Sequence, residues 1–207
     1  MSLTESSWGA FSSDFAVRYL KSLGAPSLSS RQLLIDLLRQ CAPPDPAVLD
    51  LGCGNAQLYE FMQEQQIRLR YTGVDISDVL LDVARKVAPR ARFIRDDVGV
   101  LSKVTDRYDV AIYSHVLEML ESPERSLARA RQLADKIFIR FFEPPEFEMD
   151  CVELREMEVA EGKKVPYLRR KMSRDHYRLI LSRIGCRHVD VYRDLDSKDQ
   201  VHVLLFG

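Results

Sequence analysis

The sequence predicts an α/β fold: a mostly parallel, doubly wound sheet with an antiparallel strand at its C-terminal end, N-terminal helices and an inserted β-hairpin. Three observations predict it. Short apolar runs alternate with amphipathic segments between residues 46 and 145, the spacing of βαβ units with right-handed crossovers. Two glycines follow the first apolar run directly, where a strand hands over to a helix. After the last amphipathic segment, two apolar runs follow each other too closely for a crossover, so they pair antiparallel.

Taken in order, residues 4–22 are polar, with a stripe of Trp8, Phe11, Phe15, Val17 and Tyr19, and read as one or two short helices. "SLSSRQLLIDLLRQCAPP" reads as a helix capped by Ser29 or Ser30, with Leu33, Leu34, Leu37 and Leu38 on its apolar face and Pro43 and Pro44 stopping it. "AVLDL" is a strand and residues 56–66 a helix. "RYTGVDI" is a strand, followed by a helix over 77–88 whose cap is Ser77. "ARFIRD" and "YDVAIYS" are strands, the second running into the short helical "HVLEML". Pro123 opens the next helix, where its missing N–H costs little, and "DKIFIRFF" is the fifth strand.

"CVELREMEVAEGKKVPYLRRKM" then carries strand-like patches on both sides of Glu161-Gly162 and predicts a β-hairpin. The alternative, a long structureless loop, is uncommon inside a compact domain. "SRDHYRLILSRIG" is a helix capped by Ser173 and ended by Gly185, and "RHVDVYRD" and "QVHVLLF" are the closing pair. The chain is thus expected to be a single domain. Its parts are an N-terminal helical cap (1–45), a ligand-binding core (46–145), an inserted hairpin that caps the substrate (146–172) and a last helix with its strand pair (173–207).

Composition sets bounds. The chain has 207 residues, 46% hydrophobic and 29% charged, as ordinary soluble domains are. Thirty basic residues face thirty-one acidic ones, so net charge points neither toward nor away from nucleic acid. Cys41, Cys53, Cys151 and Cys186 lie far apart and read as reduced thiols, not as a zinc site or a disulfide framework; no metal is expected. No segment is apolar for long enough to span a bilayer, and the N-terminus lacks the pattern of a signal peptide, so the expected compartment is the cytoplasm, with no membrane partner.

The stretch "VLDLGCGNAQLYEFM" carries the first functional signal. Gly52 and Gly54 permit a tight turn and close approach of a ligand to the backbone, and the helix that follows is expected to present unpaired N–H groups. Asp50 precedes the turn, and Asp75 stands at the tip of the second strand, placed to accept hydrogen bonds from two ribose hydroxyls. A nicotinamide site would place a third glycine where Gln57 stands, so that reading is poor.

The pattern from Asp50 to Ala56, an acid then Gly-x-Gly-x-small, resembles the first motif of the class I methyltransferases that use S-adenosylmethionine. "GVDIS", "FIRDDV", "YDVAIYSHVLEML" and "KIFIRFFEPP" resemble the later motifs in the same order, over residues 46–145. Ala56 stands where that family usually has glycine. The resemblance implies a Rossmann-like sheet, S-adenosyl-L-methionine as cofactor and S-adenosyl-L-homocysteine as its product. Carried over residue by residue, it lays the backbone at Gly52 and Gly54 against the methionine part of the cofactor. Asp50 falls near the ammonium, Asp75 on the ribose, Ile76 on the adenine face, Asp97 and the Val98 N–H on the adenine edge, and Ser114 near the sulfonium. Asp96 replaces Asp97 if the register slips by one.

The implied reaction is in-line displacement of the methyl group by a nucleophilic O, N, C or S of a small molecule, with a dedicated base needed only if that atom is protonated. No base stands out. His115, Glu143, Tyr167 and His176 are the weak candidates, with a structural role favoured for His115 and a surface one for His176. Arg169, Arg170, Lys171, Arg174 and Arg178 form the densest basic cluster; it is either a solvated face or a site for an anionic substrate, walled by Tyr167 and Tyr177. Trp8, Phe11, Phe15 and Tyr19 serve equally as core or as substrate pocket, and Glu143 points toward the expected substrate. "FEPPE" follows the fifth strand, not the fourth, and is not the motif of DNA amino-methylases. A small acidic metabolite is favoured over nucleic acid as partner, in a monomer or homodimer. The alternatives are a catalytically silent binding or activator subunit and an RNA or protein methyltransferase.

Overall fold

Seven strands make one sheet in the order β3-β2-β1-β4-β5-β9-β8. The structure is a computed structural model that describes residues 3–22 and 28–207. β1 (Ala47–Leu51), β2 (Arg70–Asp75), β3 (Arg92–Arg95), β4 (Tyr108–Ser114) and β5 (Ala134–Phe141) run parallel. β9 (Gln200–Phe206) lies antiparallel between β5 and β8 (Cys186–Arg193). The expected mostly parallel sheet with one antiparallel strand is therefore present.

The central strands are apolar on both faces because helices cover both. Leu49, Leu51, Tyr113, Ile137 and Ile139 pack against α6 (Pro123–Leu133) and α7 (Arg174–Arg183) through Leu127, Ala130, Tyr177 and Ile180. Val48, Val110, Ile112 and Phe138 pack against α3 (Leu28–Cys41) and α4 (Gln57–Glu64) through Leu34, Leu38, Leu58 and Met62. α5 (Asp78–Val87) is capped by Ser77, whose Oγ accepts from the Leu80 N–H at 3.4 Å. Ser173 caps α7 in the same way at 3.2 Å, and Gly185 ends it at φ 69°. Ser29 and Ser30 do not cap α3, which begins at Leu28. Their hydroxyls turn instead to two acids before β9, Ser29 to Asp194 at 2.7 Å and Ser30 to Asp199 at 2.6 Å.

The hairpin is present as β6 (Cys151–Ala160) and β7 (Lys163–Lys171), a two-stranded sheet of its own turned at Gly162. α1 (Leu3–Trp8) and α2 (Ser13–Ser22) clamp it. The Ser12 N–H donates to the Val159 carbonyl at 2.9 Å and the Ser7 hydroxyl to the Pro166 carbonyl at 2.5 Å. Trp8, Phe11 and Phe15 join Val159, Val165 and Leu80 in a small apolar cluster between the hairpin and the first turn of α5. The Tyr19 side chain lies outside the described residues. No helix among the described residues is long and apolar enough to cross a membrane.

Candidate active site

Strand order reverses between β1 and β4, so a crevice is expected beyond the carboxyl ends of these two strands. The Gly52–Gly54 turn lies there. Both glycines are left-handed, at φ 77° and 55°. A Cβ on Gly52 would stand 2.5 Å from Val116 Cγ2, so the chain's own side chain already fills the close approach assigned to a ligand. A Cβ on Gly54 would meet nothing within 4 Å; this is the open side of the turn. The turn's own N–H groups are engaged, Gly52 and Cys53 donating to the Val74 carbonyl at 2.8 and 3.0 Å and Gly54 to Asp75, while the start of α4 beyond it has no side-chain cap. Ala56 is left-handed at φ 68°, a conformation that costs an alanine about 1 kcal/mol. Next to it, the buried Asn55 Oδ1 has no hydrogen-bond partner.

Asp75 ties this turn to the second strand. Its Oδ2 accepts from the Gly54 N–H and its Oδ1 from the Ser77 N–H, both at 2.9 Å. Each oxygen keeps a second lone pair. Burial pushes its pKa up, against the lowering effect of these backbone donors. In the next strand connection the two acids divide. Asp96 is buried, with Oδ1 accepting from the Asp97 N–H and Ser102 and Oδ2 from the Lys103 N–H. Asp97 is half-exposed and accepts from the Gly99 N–H through Oδ1 alone. Asp97 is thus the acid left with an unengaged oxygen; Ile76, after β2, is half-exposed and Val98 is buried.

Asp50 faces the α3/α4 side and takes the Tyr71 hydroxyl at 2.5 Å. Burial raises its pKa to about 7; Tyr71 and Arg140 act to lower it and Asp75 to raise it. Between the ordinary carboxylate pKa near 4 and about 7, the native state holds a proton that the unfolded chain has lost, so this group makes stability fall as pH rises through that window. Asp50→Asn is expected to flatten that fall, so that its stability relative to wild type improves steadily from pH 5 to pH 7 in urea titrations. Parallel curves for the two proteins would rule this out.

The far side of the crevice holds a buried charge network. Arg140, on β5, is 2% exposed and Asp199, before β9, is 3% exposed. Asp199 Oδ2 lies 2.6 Å from Ser30 Oγ, 2.8 Å from His115 Nε2 and 3.3 Å from Arg140 Nε. Arg140 Nη1 donates to Ser114 Oγ at 3.1 Å, and Nη2 lies 3.2 Å from His115 Nδ1. Arg140 Nε also lies 3.0 Å from His115 Nε2, so the guanidinium spans both ring nitrogens; the Asp199 carboxylate, which only accepts, places the imidazole proton on Nε2 and leaves Nδ1 as the acceptor. Burial lowers the His115 pKa and keeps the ring neutral, although Asp199 acts to raise it. Both ring nitrogens are engaged, which leaves no lone pair for substrate. His115 is also left-handed, at φ 59°, a strained backbone of the kind that clusters at functional sites.

Above this network comes the hairpin's charged half. Glu118, in the 3₁₀ turn after β4, is buried; its Oε1 accepts from the Phe142 and Glu143 N–H groups at 2.7 and 3.3 Å, and its Oε2 has no partner. Arg169 is 4% exposed, not part of a solvated face. Its Nε donates to Glu143 at 3.2 Å, its guanidinium lies 4.6 Å from the Phe142 ring centroid, and its Nη2 has no partner. Glu143 also faces Arg155 at 3.7 Å. Tyr167 packs edge-on against Trp8, with centroids 6.1 Å apart. Arg170 turns away to the Glu121 carbonyl, and Arg174 and Arg178 are exposed. His176 sits 2.9 Å from Glu124 and 2.5 Å from Asp150, and Tyr177 is in the core with His202.

Arg140, Asp199, Glu118 and Asn55 were not singled out from the sequence. Arg140 had a legible signal, a charge inside the otherwise apolar strand "KIFIRFF". Asp199 had none, because its partners lie far away in the chain.

Residues 48–136 match the methyltransferase domain family. A ubiquinone biosynthesis O-methyltransferase of Coxiella burnetii is 31% identical over 90 residues, which cover 42% of this chain and 38% of that protein. The chain spans less than half the length of the curated relatives it matches. Among solved structures, the CcbJ methyltransferase of Streptomyces caelestis superposes with a TM-score of 0.70 at 16% identity, covering 100% of both chains. Another, S-adenosylmethionine-bound CalS10, an amino pentose methyltransferase from Micromonospora echinaspora, gives 0.66 at 15% identity over 90% of this chain and 94% of that one. The matched stretch, residues 48–136, runs from β1 into β5, and the fold around it is the one these solved methyltransferases share.

Proposed function

We propose that the chain is an S-adenosylmethionine-dependent methyltransferase acting on a small anionic metabolite. The observation that carries this reading is the open side of Gly54 beside the Asp75 carboxylate, at the point where strand order reverses. The residues present suit the cofactor: a turn with room for a ligand, an acid with lone pairs to spare at the tip of β2, a second acid at Asp97 and an orphaned Asn55 oxygen. When bound, the cofactor supplies an electrophilic methyl group on a sulfonium.

Asp75 would hold the ribose hydroxyls, and Asp97 and the Val98 N–H the adenine edge, with Ile76 on its face. Gly54, on the open side of the turn, would lie along the methionine part, and Asp50 would balance its ammonium. Ser114, held by Arg140, would stand near the reacting end. The roof formed by Trp8, Phe11, Phe15 and Tyr167 would exclude water, and Arg169 and Glu143 would orient the substrate. Arg169 offers an unpartnered Nη2 for a carboxylate or phosphate. With both nitrogens of His115 engaged, a nucleophile already ionised at neutral pH, such as a carboxylate or phenolate, needs no base. The small-molecule part of the reading is supported by relatives named for ubiquinone biosynthesis and for an amino pentose.

Calorimetry and thermal shift are expected to show stabilisation by S-adenosylmethionine and S-adenosylhomocysteine but not by NAD. Methyl label is expected to pass to the acidic fraction of a metabolite pool. Binding without turnover on any pool would favour a silent subunit, and label passing to RNA would overturn the small-molecule assignment.

A further inference from the structure

A wide concavity lies at the opposite, amino edge of the sheet. It has a volume of about 780 Å³, ample for a nucleotide. Arg68, Arg70, Arg90, Arg92 and Arg107 line it against a single acid, Asp106. Asp106 pairs with Arg92, and Arg107 is held by Asp135 at 2.8 Å. Arg68, Arg70 and Arg90 are exposed and have no side-chain partner among the described residues. Three guanidinium groups without an acidic partner thus line one groove, a matched arrangement for an oligophosphate. The half-buried Tyr59 ring lines the same wall, beside Tyr71 at 4.7 Å between centroids, and is the aromatic group there against which a base can pack. Gln63 and Gln66 add amide donors and acceptors for its edge.

We propose that this groove binds a nucleoside di- or triphosphate, its phosphates on Arg68, Arg70 and Arg90 and its base against Tyr59. The site is distinct from the methyl-transfer crevice: β4, seven residues long, separates the two edges by about 20 Å. A competing explanation is local. Arg68 and Arg90 follow the C-termini of α4 and α5, where cations offset the helix dipole.

The test is calorimetry of the full chain at low salt with ATP, inorganic triphosphate and a uridine oligoribonucleotide, on wild type and on the triple variant Arg68→Gln/Arg70→Gln/Arg90→Gln. ATP is expected to bind at one site per chain, more tightly than triphosphate, and to weaken by at least about 30-fold in the triple variant. S-adenosylhomocysteine binding is expected to be the same in both proteins, which checks that the variant is folded. Any of three results overturns the proposal: no saturable ATP binding, ATP binding that the triple variant retains with only its melting temperature lowered, or affinity for the oligonucleotide that exceeds that for ATP and grows with its length.

Discussion

Asp75→Ala is expected to reduce affinity for S-adenosylhomocysteine by about a hundredfold or more, measured by calorimetry. Two charge-assisted hydrogen bonds to a ribose are worth about 1.5–3 kcal/mol each, and 1.4 kcal/mol is tenfold in affinity. The same carboxylate holds the Gly54 and Ser77 N–H groups, so alanine also leaves two donors unpaired at the mouth of the crevice. A lower melting temperature is therefore expected beside the lost affinity. Asp75→Asn separates the two effects. It keeps one acceptor oxygen for the turn but loses the charge, so it is expected to fold nearer wild type and still bind weakly. A folded Asp75→Asn or Asp75→Ala protein with undiminished affinity would remove the ribose assignment, and with it the placement of the cofactor beside Gly54.

The second large effect is expected at Asp199. Removing this carboxylate leaves the Arg140 guanidinium buried without its counter-ion, which costs about 3–5 kcal/mol in comparable sites. Burial already lowers the Arg140 pKa to about 10 in the presence of Asp199. Denaturant unfolding of Asp199→Ala is expected to show that loss, and Asp199→Ala/Arg140→Met to recover a large part of it, because the double variant buries no lone charge. Strict additivity of the two single changes would mean that the pair is not coupled. The sign with pH follows from the same contacts. Burial acts to raise the Asp199 pKa, but His115, Ser30 and Arg140 outweigh it and hold the group below the ordinary value. Its stabilising contribution is therefore present above the unfolded value near 4 and is lost as pH falls toward the folded one.

The sheet was legible because its information is local. Apolar runs such as "AVLDL" and "YDVAIYS" are short, bounded and separated by helical periods, and each became the strand expected of it. The hairpin was legible for the same reason, with Glu161-Gly162 between its arms. The end of α3 facing the site was not. A serine before an apolar run signals a cap, yet Ser29 and Ser30 bind acids some 165 residues later in the chain, and no local pattern encodes such a partner. The loop acids were legible in type but not in role. Asp96 and Asp97 are adjacent and chemically identical, and only the path of the loop decides which oxygens the backbone takes. Gly52 carries a similar lesson: its missing side chain is explained by Val116, which the sequence places more than sixty residues away.

The hairpin and the first two helices form a body that adds no strand to the seven-stranded sheet. It is tied together from Ser7 and Ser12 to the two hairpin arms, and it meets the rest of the fold through side chains such as Arg169 on Glu143 and Phe11 by Leu80. Natural drift in these two stretches can therefore reshape the hairpin side of the molecule while leaving the seven-stranded sheet unaltered. On the proposed function, a lineage built on this plan acquires a new acceptor molecule by trading roofs, and likeness of the sheet between two such chains says little about whether they share one.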